Sequence, residues 1–169
     1  MRIAYFLTTI VVLNTSVSSC SQNNNKAKLT EIGKSNTPDT SSIAIIQFDP
    51  KGNWPFKNNS RPSGLTEKEI EEVESLMNIG ISEYNKHLSV EQRDGYSIDF
   101  KKYKYKKQYV AVINLKGEKE VWINGFCNSW NDNWKKDILL VNDGGNCYFN
   151  LKVNLTTKKC YDVFVNGYA

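Results

Sequence analysis

The chain of 169 residues is 40% hydrophobic, 12% aromatic and 24% charged, with a formal net charge of +4 at neutral pH. That length suits one domain rather than two, and the aromatic content is too high for a disordered chain. So small a positive excess argues against a dedicated nucleic-acid binder, whose basic surface would have to neutralise many phosphates.

Residues 1–19 predict a signal peptide, to be set aside from fold reasoning. Arg2 supplies a positive start, the run from Ile3 to Leu13 is apolar apart from Thr8 and Thr9, and residues 14–19 are polar and mostly small. The run is shorter than the about 20 residues that a permanent membrane span needs. Val17-Ser18-Ser19-Cys20 then resembles a bacterial lipobox, in which cleavage before the cysteine frees an amino-terminal Cys that carries lipid. The resemblance implies that Cys20 is the lipidation site. Several acyl chains would hold it to a membrane, each buried CH₂ contributing about 0.8 kcal/mol. Ser21 follows rather than Asp, which by the same resemblance implies delivery to an outer membrane. The competing reading is an ordinary secretory leader cut near Ser19, leaving Cys20 a plain thiol.

Residues 20–42 read as the lipidated cysteine and a flexible tether. They contain Gln22-Asn23-Asn24-Asn25, several Ser and Thr, and Pro38, with only Leu29 and Ile32 as large apolar groups. One folded domain is expected over 43–169. It opens with a β-rich run, Ile43-Ala44-Ile45-Ile46-Gln47-Phe48, stopped by the turn signal Asp49-Pro50, and continues as loop from Lys51 to Gly64.

Thr66 followed by Glu69 is a capping box, and Ile70, Val73, Met77, Ile81, Tyr84 and Leu88 recur at spacings of three and four. One amphipathic helix of about 22 residues is predicted, with acidic first turns that suit the helix dipole and Gly80 as an internal weak point. Its single apolar stripe must lie on a sheet.

The second half supplies that sheet by alternation. Tyr103, Tyr105, Tyr109, Ala111 and Ile113 read as one face, with Lys102, Lys104 and Lys106 opposite. A turn at Lys116-Gly117-Glu118-Lys119 leads to Val121, Ile123 and Cys127 alternating with Trp122, Asn124 and Phe126. A short strand is expected over Asp137 to Val141. Cys147, Phe149, Leu151, Val153 and Leu155 form the cleanest alternation, and Tyr161, Val163 and Val165 read as sharing a face of the last strand.

The expected fold class is therefore α+β, one N-terminal helix packed on a curved antiparallel meander of about five strands. This element order resembles the cystatin-like and nuclear-transport-factor-like architectures, and the hairpin series from Tyr105 onward resembles uncharacterised small lipoproteins of the Bacteroidetes type. The Gln-x-Val-x-Gly loop of cystatin inhibitors is absent, so protease inhibition does not carry over.

With Cys20 lipidated, Cys127, Cys147 and Cys160 remain, an odd number for an oxidising compartment. Cys127 and Cys147 are expected to form the disulfide, because they terminate neighbouring strands and read as inward-facing. No CxxC pair supports zinc or thioredoxin-like chemistry, and no metal or cofactor is expected. His87, the lone histidine, reads as a helix-end cation rather than a catalytic base. Asp94 and Asp143 each precede glycine and read as turn residues, leaving no catalytic carboxylate pair assigned. The bases and tyrosines of Lys101 to Lys107 read as a solvated edge face, not a nucleic-acid platform.

The most informative polar segment is Asn128 to Lys135. Trp130, Asn131, Asp132 and Trp134 there form a candidate sugar- or partner-binding loop. The alternative, favoured by the needs of a small core, is that both Trp side chains close one end of the sheet. The expected role is a non-enzymatic binding or interaction module attached to the membrane by its lipid, with a protein or glycan partner. Three other classes stay open: an immunity or enzyme-inhibitor protein, a small nuclear-transport-factor-like enzyme, and a structural envelope protein.

Overall fold

The computed structural model describes residues 40–51, 55–57, 59–129 and 132–168, with Asp132 described by its backbone alone. The leader, Cys20 and the tether up to residue 39 lie outside the described residues, as do Trp130 and Asn131.

The fold is α+β. After a 3₁₀ turn at Thr40–Ser42 come β1 (Ile43–Ile45), β2 (Arg61–Pro62), α1 (Glu67–His87), α2 (Val90–Tyr96), β3 (Lys106–Ile113), β4 (Lys119–Phe126), β5 (Tyr148–Asn154) and β6 (Lys159–Val165). The sheet is open and ordered β1-β3-β4-β5-β6, with β2 paired to β3 beyond the end of β1. From β3 to β6 it is an antiparallel meander.

One correction concerns the edge: β1 runs parallel to β3, with Ile43 opposite Lys107 and Ile45 opposite Tyr109. The helical passage between them returns the chain across the sheet, the crossover that a parallel pair requires. The sheet is thus mixed.

The helix begins where its capping box lies: Thr66 N donates to Glu69 Oε2 at 2.8 Å, and Glu69 N donates back to Thr66 Oγ1. Ile70, Val73, Met77 and Ile81 are buried, and meet Tyr109, Ala111, Val121, Ile123, Leu151 and Val153 on the inner face of the sheet. Ser89 and Gln92 form a second capping box that starts α2, an element not expected from the sequence.

Two further corrections follow. The expected strand over Asp137 to Val141 does not form; these residues belong to a loop folded over the outer face of the sheet. Tyr161 does not share a face with Val163 and Val165. A register shift between Asn150 and Lys152, with Asp162 at φ 54°, forms a β-bulge in β6. Cys160 therefore joins Val163 and Val165 against the helix side, while Tyr161 and Phe164 turn outward.

Candidate functional site

The outer face, opposite α1, is partly roofed by two loops. Phe48 and Phe56 cover Val110, Val112 and Trp122. Trp134 and Leu139 cover Ala44, Phe126 and Tyr148, with Trp134 edge-on to Phe126 at 5.7 Å between ring centroids. Trp134 is only 7% exposed, and the ammonium groups of Lys106 and Lys135 flank its ring at 5.0 and 5.4 Å. The Trp134 half of the sequence-derived loop therefore closes the sheet and offers no ring to a ligand.

This second roof is held by amides buried beneath it. Gln108 Nε2 donates to Trp134 O and, at 2.7 Å, to Asp137 O. Its Oε1 accepts from Leu139 N at 2.9 Å and from Asn124 Nδ2 at 3.0 Å. Asn124 Nδ2 also reaches Leu139 O. Elsewhere Asn146 donates to Asp94 O and Ser97 O, and Asn166 to Val141 O and Asp143 O. Asn124, Asn146 and Asn166 are thus buried loop staples, as an unpaired buried amide would be costly.

Cys127 and Cys147 are joined in a disulfide, with 5.0 Å between their Cα atoms. Cys160 is a free thiol whose pKa burial pushes up to about 11. His87 is exposed at the helix end, its Nδ1 2.8 Å from Glu83 O. Between helix and sheet, Lys107 Nζ meets both oxygens of Glu74 at 2.6 and 2.7 Å, and Tyr109 Oη donates to the same carboxylate. Burial, reinforced by Glu74, holds the Tyr109 phenol well above its ordinary range. Val73, Met77 and Ile81 pack with Tyr109 in the core, so the network braces the helix on the sheet. Also among the described residues, no group of three or more His, Cys, Asp or Glu side chains could hold a metal, and no helix is long and apolar enough to cross a membrane.

What stays open is the outer face of β5 and β6. The row Trp122, Lys152, Tyr161 crosses it, beside the row Asn124, Asn150, Phe164. Between the Phe56 loop and β6 lies a cleft of about 430 Å³, lined by Pro55, Trp122, Asn150, Lys152, Asp162 and Phe164. Trp122 forms its floor, 3% exposed, whereas Phe164 is 57% exposed. Lys152 Nζ donates to Asp162 Oδ2 at 3.2 Å and stands 5.7 Å from the centre of the Phe56 ring. Tyr161 Oη donates to Glu120 Oε1 at 2.9 Å; burial together with that carboxylate raises its pKa. Pro55 and Lys152 also border a second cleft of about 280 Å³ that extends past Glu120 to Leu115.

A larger groove of about 650 Å³ runs between α1 and the segment after α2. Two of its polar side chains serve the fold: both polar atoms of the Asn85 amide bond Ile98, and Asp99 Oδ1 accepts from Lys101 N and Lys102 N. The β5–β6 cleft has the stronger claim, because a backbone irregularity re-aims an aromatic ring into it. Sequence reasoning missed this site. The available signal was Asp162, an acidic residue in the middle of a β-rich run, where Asp is disfavoured.

Compared with protein-family models, curated protein sequences and solved structures, the chain shows no significant match to any of them.

Proposed function

We propose that the chain is a lipid-anchored extracytoplasmic binding module. Cys20 holds it to the outer membrane, the tether lifts the domain away, and the β5–β6 cleft engages a partner. The anchor rests on the lipobox resemblance and on the short apolar leader. Binding rests on one observation: the bulge at Asp162 turns Phe164 out of the core and leaves it 57% exposed beside a cleft. A large aromatic ring held out in water on a paired strand forgoes the stabilisation that burial would give and is available to a partner. Bulges that re-aim side chains concentrate beside binding sites, and pockets of this size accept small ligands or anchor residues.

A photo-crosslinking amino acid placed at Phe164 in the full-length lipoprotein, within its native membrane, tests the surface. Adducts are expected from position 164 and not from Ile79 or Val90, both exposed on the helices and absent from the cleft lining. Equal yields from all three positions would refute the assignment. For the anchor, Cys20→Ala is expected to move the protein from the membrane to the soluble fraction.

A further inference from the structure

We infer that the ligand of the β5–β6 cleft is a neutral, pyranose-containing glycan; this rests on the cleft being the binding surface. Three features of the lining select that chemistry. The first is charge. Lys152 and Asp162 are paired at 3.2 Å, so the cleft presents one cation and one anion side by side. An anionic ligand would meet Asp162 and a cationic one Lys152, whereas adjacent hydroxyls can donate to the carboxylate and accept from the ammonium.

The second is the unspent amide. Asn124, Asn146, Asn154 and Asn166 all use their side chains within the fold. Asn150, in the same row as Phe164, makes no side-chain hydrogen bond among the described residues. Its carbonyl and NH₂ remain free to serve a ligand hydroxyl as acceptor and donor.

The third is the aromatic surface. The exposed ring of Phe164 has an electron-rich face, which suits the polarised C–H face of a sugar ring. Pro55 and Lys152 border both this cleft of about 430 Å³ and the one of about 280 Å³, so a second sugar ring would find a recess beside the first. A peptide adding as a strand to β6 fits less well. The bulge at Asp162 interrupts the even run of backbone donors and acceptors that strand addition requires.

The test is saturation-transfer NMR on the full-length lipoprotein in detergent, with maltotriose, cellotriose and triacetylchitotriose as neutral probes and a heparin hexasaccharide as the charged comparator. At least one neutral probe is expected to receive saturation at its ring C–H protons. Phe164→Ala and Asn150→Ala should each weaken binding by about tenfold with the melting temperature unchanged. Binding of the heparin probe alone, of no probe, or binding that survives both substitutions would overturn the inference. If no sugar binds while position 164 still crosslinks in the membrane, the glycan assignment fails and the binding surface stands. If neither occurs, both fall.

Discussion

Gly80 of α1 and Cys160 of β6 touch so closely that a Cβ on residue 80 would lie 2.1 Å from the Cys160 Sγ and 2.6 Å from its Cβ. A helix glycine usually weakens its helix by about 1 kcal/mol relative to Ala. Here it lets the helix settle on the edge strand. Gly80→Ala is therefore expected to destabilise, by about 1–2 kcal/mol net, because overpacking outweighs the gain in helix propensity. Urea unfolding decides it, and a stabilised variant would contradict the packing. The half-buried thiol adds a pH signature. Its pKa is raised from 9.0 to about 11, so its contribution is whole below pH 9 and is lost as pH rises toward 11.

The amide latch beneath the Trp134 loop should behave as a local lock. Gln108→Leu fills the same space but leaves Leu139 N, Trp134 O and Asp137 O without their partner. The expected cost is about 2–4 kcal/mol. Hydrogen exchange should quicken at Leu139 and its neighbours while the amides of α1 stay protected. Unchanged protection at Leu139 would show that the loop is held by Trp134 packing alone.

The parts of this fold that were legible in sequence are those governed by local rules. Thr66 and Glu69 announced the helix start, and Phe149, Leu151 and Val153 announced a strand with one face in the core. The bulge was not legible. Alternation assumes a constant period of two, and one residue in left-handed geometry at Asp162 reverses every later assignment relative to the earlier ones. The last strand was thus located correctly while Tyr161 was put on the face of Val163 and Val165. Similarly, Asp137 to Val141 has strand-like composition, but the side chains of Gln108, Asn124 and Asn166 take up the backbone of Asp137, Leu139 and Val141 in place of a neighbouring strand. α2 was missed although Ser89-Val90-Glu91-Gln92 carries a capping box, because Asp94-Gly95 was read as a turn.

The disulfide should matter beyond its own loop. Cys127 and Cys147 are 20 residues apart, and closing a loop of that size stabilises by about 3 kcal/mol. Cys147 also fixes the neighbouring Asn146, which bonds Asp94 O and Ser97 O and accepts from Tyr105 Oη at 2.6 Å. The Cys127→Ser, Cys147→Ser double variant is expected to lose about 3 kcal/mol, with faster exchange at Ser97 and Ile98. Exchange changes confined to residues near 127 would separate the bridge from the staple.

Glu69 sets the acid limit of the helix start. Burial pushes its carboxyl pKa up, but hydrogen bonds from Lys119 and from Thr66 outweigh this and lower it below 4.5. Lys119 Nζ lies 2.6 Å from Glu69 Oε1, so one carboxylate both caps α1 and ties it to the start of β4. A carboxyl whose pKa falls on folding contributes stability that is present above its unfolded value and lost as pH drops through the folded one. Glu69→Ala is expected to cost about 1–2 kcal/mol at pH 7. That gap should narrow in acid, as pH falls through the lowered pKa and the wild-type carboxylate itself takes up a proton. Parallel stability curves for wild type and variant from pH 7 down to acid unfolding would show that the Lys119 contact contributes nothing through charge.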